Sequence, residues 1–167
     1  RRDDLLVDIA LLKLNRRPNF TALPEVTQND VKDFFGSYKQ ATAEADELLF
    51  SSGNTDLVSL EADNAEVGKR LPTDLYVHES ALDRLHPVLR VYEGCARWLL
   101  GEVDEANIIK LATDKPKVSL LNIGSEEMKG NEVLKNTYQK MSNIKNSNFE
   151  FNGFIEGNES VSYTHLR

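Results

Sequence analysis

The spacing of the apolar residues changes once along this chain, near residue 107, and that change constrains the fold more than any other feature. Before it, apolar side chains recur every three or four residues, which is the period of a helix packed on one side. After it, short apolar runs of strand length are separated by turn residues. We therefore expect an α+β fold, with a mainly helical N-terminal two-thirds that includes a short strand pair, followed by a truncated β-α-β unit.

Two long helices are predicted near the start of the chain. Residues 3–15 carry apolar side chains at helical spacing, and residues 27–50 form a second such stretch. Thr27 and Asp30 have the spacing of a capping pair at the start of the second helix. Gly36 lies inside it and is about 1 kcal/mol less favourable than alanine in a helix. The pattern nevertheless favours one helix over residues 27–50.

The middle of the chain predicts shorter elements. Residues 56–70 are typical of a short helix followed by a polar loop, and residues 75–77 of a short strand. Ser80 is a candidate N-cap for a turn of helix. Pro87 is well placed to open an amphipathic helix, which Gly101 is expected to end.

The last part of the chain predicts strands as well as helix. Residues 107–111 and 117–123 form two strand-like runs that are joined through a turn-like cluster at 113–116. Residues 131–142 have helical spacing, and residues 149–155 predict a final strand. The order strand, loop, helix, strand is the outline of a β-α-β unit.

Charge and cysteine content restrict the class of protein. The net charge of −7 argues against direct binding of nucleic acid, which normally needs a basic face. The single cysteine, Cys95, excludes an internal disulfide and fits a reducing compartment. No apolar run approaches the length of about 18 residues that spans a bilayer. We therefore expect a cytoplasmic protein with no transmembrane segment.

No motif in the chain predicts a cofactor or a metal ion. The glycine-rich loops that bind dinucleotides or nucleotide phosphates are absent, as is the acidic-Gly-x-Gly signature of methyltransferases. His78, Glu79 and His86 invite a metal hypothesis, but the histidines are eight residues apart, whereas zinc-protease helices place them four apart. Cys95 is interpreted as a small buried hydrophobic residue in preference to a nucleophile.

The strongest local candidate for a site is the stretch KPKVSLLNIGSEEMKG at residues 115–130. A strand that runs into a polar loop puts polar groups at the carboxyl edge of a sheet, where open α/β proteins bind ligands. Five residues of the loop are candidates, because they carry charge or allow close approach of the backbone: Gly124, Glu126, Glu127, Lys129 and Gly130. The alternative is a solvated connection between strand and helix, which the spacing alone favours.

Composition changes abruptly near residue 119. Residues 1–118 hold eleven alanines and eight arginines, whereas residues 119–167 hold no alanine and one arginine. Asparagine changes in the opposite direction, from six to eight although the second part is much shorter. The change has the form of a difference in coding bias and indicates two source genes.

The first part resembles the C-terminal region of the DNA phosphorothioation-associated methyltransferase family. The words RRDDLLVDIALLKLNRRPNFTALP, VKDFFGSYKQA, VGKRLPTDLYVHESALDRLHPVLRVYEGCARWLLGEV and ANIIKL carry this resemblance, over about residues 1–118. It implies DNA-modification machinery as partners. It implies no cofactor residue, because the methyltransferase assignment of that family belongs to an upstream domain.

The second part resembles the phosphate acyltransferases of phospholipid synthesis. VSLLNIGSEEMKGNEVLKNTYQKM and FEFNGFIEGNE carry the resemblance, over about residues 117–160. It implies an α/β/α fold, with acyl carrier protein and phosphate as partners in forming acyl phosphate. It also implies that the five loop residues line or shape the substrate cleft.

The two ends of the chain lead to a third expectation. VSYTHLR, at residues 161–167, resembles a translated sequencing adapter, and the start at Arg1 without methionine is typical of a fragment. We therefore predict a helical segment at 1–116, an acyltransferase fragment at 117–160 and a non-biological tail at 161–167, with a seam near 118–121.

Three functional hypotheses follow. The chain is a C-terminal module of a methyltransferase-like protein, or a fragment of a phosphate acyltransferase, or a joined chain with no function of its own. The chain itself is expected to be inactive, since acyl transfer to phosphate needs a complete cleft.

Overall fold

The computed structural model describes residues 1–101, 107–121, 132–144 and 149–155. The chain divides into two compact units, residues 1–114 and residues 115–167. The first unit is mainly helical with a small sheet, and the second is a β-α-β unit, so the predicted α+β class is confirmed.

The first unit contains five α-helices and three strands within its described residues. The helices are α1 (Arg2–Leu12), α2 (Glu25–Phe35), α3 (Tyr38–Ser51), α4 (Thr55–Asp63) and α5 (Pro87–Leu100). The strands are β1 (Lys69–Arg70), β2 (Asp74–His78) and β3 (Ile108–Ala112). Short 3-10 helices lie at Lys13–Asn15, Phe20–Ala22 and Glu79–Arg84.

The prediction of one helix over residues 27–50 is wrong, because the chain turns at Gly36. This glycine has φ 73°, a left-handed conformation that side chains disfavour, and its N–H donates to the carbonyl oxygen of Lys32 at 2.9 Å. Ser37 then begins α3, accepting a hydrogen bond on Oγ from the N–H of Gln40 at 3.1 Å. Gly36 ends one helix and Ser37 begins the next, so the chain forms two helices although the apolar spacing continues across both residues.

Two predicted caps are also wrong. Thr27 lies inside α2, which begins at Glu25 after Pro24, so it does not cap the helix. Ser80 lies inside the 3-10 helix, and the imidazole of His78 accepts a hydrogen bond from its N–H. By contrast, α5 opens at Pro87 and Gly101 terminates it with φ 81°, as predicted.

The sheet of the first unit has the order β1-β2-β3 and is antiparallel throughout. Leu75 on β2 lies opposite Leu111 on β3, and Val77 lies opposite Ile109. Alternation along β2 buries Leu75 and Val77 on one face. The strand-like run at 107–111 pairs in this sheet as β3, and the run that begins at 117 belongs to the second unit.

Two hydrophobic clusters lie on either side of α5. Val91 belongs to a helical cluster with buried residues of α1, α2 and α3, among them Ile9 and Val31. Val88 and Leu89 belong to the other cluster, which packs α5 against α4 and the sheet. Helix α5 therefore joins the helical layer to the sheet.

The second unit has the described elements β4 (Lys117–Leu121), α6 (Glu132–Ser142) and β5 (Glu150–Ile155). The strands β4 and β5 are parallel neighbours. The predicted β-α-β order is therefore present. Within the described ranges, no helix is long and apolar enough to cross a membrane.

Candidate functional site

The five predicted site residues, Gly124, Glu126, Glu127, Lys129 and Gly130, lie outside the residues that the structure describes. They fall in the connection between the end of β4 at Leu121 and the start of α6 at Glu132. The described surroundings of the site are therefore the two strands and the helix of the second unit.

The parallel pairing fixes the end of the sheet from which that connection starts. Lys117 lies opposite Glu150 at the beginning of the two strands, and Leu121 lies opposite Ile155 at their end. Leu121 is thus at the carboxyl edge of the sheet. Loops at this edge are where open α/β proteins bind ligands.

Strand β5 carries a bulge in the middle of the sheet. Val118 pairs with Phe151 and Leu120 pairs with Phe154, so β5 supplies one residue more than β4 between these pairs. Gly153 lies in the extra segment with φ 77°, which a residue with a side chain rarely adopts. The glycine therefore allows the strand to bend without losing its pairing on either side.

Tyr138 of α6 packs over this bulge. Its ring is stacked on Phe154 with centroids 5.0 Å apart, and it meets the edge of Phe151 at 5.5 Å. A Cβ atom on Gly153 would lie 3.6 Å from Cε2 of Tyr138, which is ordinary contact. Aromatic contacts of this kind hold α6 on the sheet, and with it the point from which α6 begins.

An open cleft of about 500 Å³ lies beside these rings, between the last turns of α6 and the first half of β5. Its polar lining comes from Ser142 and Asn152, and Tyr138 is its only titratable lining residue among those described. The cleft lies toward the amino ends of the strands, whereas the predicted loop starts at the carboxyl end. Its described lining therefore contains no carboxylate, histidine, lysine or arginine.

The histidines of the first unit act as helix caps. Nδ1 of His78 lies 2.8 Å from the hydroxyl of Ser80, and Nδ1 of His86 accepts from the N–H of Val88 at 3.4 Å at the start of α5. Within the described part of the chain, no group of three or more histidine, cysteine or acidic side chains could hold a metal ion.

Cys95 packs against the helical cluster as a small hydrophobic residue, but it is half-buried, whereas the sequence predicted a buried side chain. Burial raises the pKa of its thiol, which disfavours the thiolate that a nucleophile requires.

The bulge and its aromatic cover were not predicted from the sequence. The signal was present, because an isolated glycine inside a strand pattern indicates a bulge or a close approach. The aromatic residues on either side of Gly153 and the helical position of Tyr138 could have been combined with it. Only the parallel pairing, however, brings α6 and β5 together.

The part of the chain that contains the candidate loop is similar to a known protein family. The family described as Fatty acid synthesis protein matches residues 101–164. This range includes the second unit's described elements and begins upstream of the predicted seam at 118–121. No solved structure matches the chain.

Curated relatives named phosphate acyltransferase give the same result. The protein of Pelagibacter ubique strain HTCC1062 is 61% identical over 49 residues, which are 29% of this chain and 15% of the relative. That of Clostridium kluyveri is 39% identical over 64 residues, 38% of this chain and 18% of the relative. That of Moritella marina is 49% identical over 47 residues, 28% of this chain and 13% of the relative.

The chain thus spans less than a fifth of the length of these relatives. The similarity supports the resemblance to phosphate acyltransferases for the second part of the chain. The resemblance of residues 1–118 to the methyltransferase family, and that of residues 161–167 to an adapter, stay predictions.

Proposed function

We propose that residues 117–155 form part of the substrate-binding region of a phosphate acyltransferase, which makes acyl phosphate from an acyl carrier protein thioester and inorganic phosphate. The similarity to curated phosphate acyltransferases is the observation that carries this proposal. The parallel arrangement of β4 and β5 adds support, because it starts the candidate loop at a carboxyl sheet edge.

One charged residue of the candidate loop is suited to bind an anionic substrate. Among the five candidate residues, Lys129 alone carries a charge that attracts phosphate. Gly124 and Gly130 leave room for backbone N–H groups to approach an anion. Glu126 and Glu127 carry the same sign of charge as phosphate, so this proposal assigns them no contact with it.

The activity requires groups beyond those of this segment. Acyl transfer needs the thioester and the phosphate held together in a cleft that excludes water and stabilises the oxyanion. The described cleft beside Tyr138 has no such groups. We therefore expect the purified chain alone to form no acyl phosphate from acyl carrier protein thioester and phosphate.

A graft tests the proposal directly. Residues 117–155 replace the matching segment of the Pelagibacter ubique phosphate acyltransferase, and acyl phosphate formation is measured. The graft is expected to retain activity, and Lys129→Ala within it to raise the KM for phosphate by about tenfold or more, the effect of losing one charge-assisted hydrogen bond. Lys140→Ala, on the exposed side of α6, is the matched control and is expected to change little.

Two results would contradict the proposal. One is an inactive graft that is nevertheless folded by circular dichroism. The other is a graft in which Lys129→Ala and Lys140→Ala have the same small effect on the KM for phosphate.

For the chain as a whole we propose a two-part origin. The change of composition near residue 119 and the boundary between the units after residue 114 support it. The matched range beginning at Gly101 crosses the predicted seam, so the position of a junction is tested by sequencing source DNA across the codons for residues 101–124. An uninterrupted reading frame in genomic DNA would overturn the chimera.

A further inference from the structure

An apolar groove in the first unit lies outside everything described for the acyltransferase-like segment. It has a volume of about 840 Å³ and runs between α1, the segment that follows α1, and α5. The groove is open to solvent, and its walls are mainly hydrophobic, with Leu12 and Trp98 exposed at the rim and Leu5, Ile9 and Leu23 buried beneath.

Three charged side chains line the groove, and two of them neutralise each other. Glu93 and Arg97 form an ion pair at 2.8 Å, and the guanidinium of Arg97 also reaches Glu79 at 3.1 Å. Within the described part of the chain, no hydrogen bond or ion pair reaches the carboxylate of Asp8. Among the described charged residues that line the groove, Asp8 is therefore the one without a direct ion pair, although Arg90 lies near enough to attract it.

The surroundings of Asp8 disfavour its charged form. Desolvation by the neighbouring side chains is the main cause that raises the pKa of this carboxyl, against the attraction of Arg90. Asp8 is nevertheless exposed to solvent, and an exposed carboxylate beside apolar side chains attracts a partner that brings a positive charge to it.

We propose that the groove binds an amphipathic cation, a molecule with an apolar body and one ammonium group. The ammonium group donates to the carboxylate of Asp8, and the apolar body covers Leu12, Leu23 and the ring of Trp98. Charge complementarity selects this class, because an anion would be repelled by Asp8 and a neutral molecule would gain nothing from its charge. The net charge of −7 favours the approach of a cation in the same way.

The single tryptophan of the chain makes the groove directly observable. Trp98 is 52% exposed at the rim, so a ligand that covers it changes its fluorescence. The full chain is titrated with decylammonium, with decanol and with decanoate, each below the concentration at which it forms micelles. Decylammonium is expected to give a saturable change at a concentration about tenfold lower than decanol, and decanoate to bind weakest.

Substitutions distinguish the contribution of the Asp8 charge to binding from that of the apolar walls. Asp8→Asn is expected to weaken decylammonium by about tenfold while leaving decanol unchanged, and Asp8→Glu to stay close to the parent. Asp33→Asn, which removes an exposed carboxylate on α2, is the matched control and is expected to change neither titration. Ala22→Phe places a ring at an exposed position of the groove wall and is expected to weaken all three ligands.

Several outcomes would overturn the proposal. These are equal titration of the three ligands, absence of saturable binding of decylammonium, or loss of affinity in Asp33→Asn as large as that in Asp8→Asn. If Asp8→Asn fails to fold by circular dichroism, Ala22→Phe decides: unchanged decylammonium binding in that variant would place the ligand elsewhere.

Discussion

The two units of the chain differ in how much apolar surface they bury. In the described residues of the first unit, nineteen hydrophobic side chains are buried, and all but Leu23 belong to two clusters joined by α5. In those of the second unit, Phe154 is the one buried hydrophobic residue, while Leu121, Val133 and Ile144 are exposed. The first unit thus has the core of an independent domain, whereas the second has a single aromatic contact layer.

The reason for the difference is the number of elements that can cover each sheet. Five helices and a three-stranded antiparallel sheet can cover one another. In the described residues of the second unit, β4 and β5 pair with each other and α6 packs on them, whereas parallel sheets are normally larger and covered on both faces. The second unit is therefore expected to need further protein to be stable, which agrees with relatives several times its length.

The largest expected effect is on cooperative unfolding, when the two units are produced as separate fragments. Residues 1–114 alone are expected to unfold cooperatively in urea, because both clusters of the first unit are retained. Residues 115–167 alone are expected to show no cooperative transition. Circular dichroism and hydrogen exchange measure both, and a sharp transition in the second fragment would contradict the comparison.

Removing a buried side chain of α5 is expected to destabilise the first unit alone. Leu89 is fully buried where α5 meets the sheet, so Leu89→Ala is expected to lower the free energy of unfolding by about 2–5 kcal/mol. Urea unfolding followed by the fluorescence of Trp98 measures it, since this tryptophan lies in the first unit.

Phe154→Ala is the matched variant in the second unit. It should leave the transition seen by Trp98 unchanged within about 0.5 kcal/mol. A loss comparable to that of Leu89→Ala would mean that the two units share one cooperative core.

The bulge in β5 gives a smaller effect, confined to the second unit. Gly153→Ala forces a side chain into φ 77° and is expected to cost about 1–2 kcal/mol. Faster hydrogen exchange at the amides of β4 and β5 would report it, whereas Asn152→Ala, one residue earlier in the strand, should change exchange much less. Equal effects of the two substitutions would remove the conformational explanation.

The smallest expected effect is a pH dependence in the helical layer. Burial alone would raise the pKa of Asp46, but hydrogen bonds from Lys13 and Arg17, at 2.5 and 2.8 Å, outweigh it and lower the pKa from its usual 3.8. Because the folded state holds the charged form better, this contribution is present above the unfolded pKa and is lost as pH falls through the folded pKa.

Asp46→Asn is therefore expected to cost about 0.5 kcal/mol at neutral pH, a value reduced by solvent screening, and nothing well below pH 3.8. Urea unfolding followed by Trp98 over a pH series measures it. Glu47→Gln, at the exposed neighbouring position, is the control. A cost that does not change with pH would assign the loss to packing.

Several elements were predictable because their signals are local. Pro87 and Gly101 bound α5 as expected, since a proline favours the first turn and a glycine the left-handed end of a helix. The single helix expected over 27–50 failed because periodicity extends across Gly36 and cannot show a change of chain direction there. The cap predicted at Ser80 failed for a related reason: His78, two residues earlier, offers a competing acceptor.

The candidate loop at 124–130 was predicted from its residue types and its place after a strand, and both are properties of the sequence. That β4 pairs with β5 in parallel, and that Leu121 therefore lies at a carboxyl edge, depends on contacts between residues distant along the chain. The groove around Asp8 has the same origin, since its walls come from α1 and α5.

Residue types and local spacing were enough to predict the α+β class, the change of pattern near residue 107 and most of the helices and strands. Short words of sequence carry the likeness of the second part to phosphate acyltransferases. The tertiary structure alone decided that β3 belongs to the sheet of the first unit and β4 to that of the second, and that α5 serves two clusters. The physical reason is that local spacing fixes which face of an element is apolar, whereas its partner is chosen by long-range burial and strand pairing.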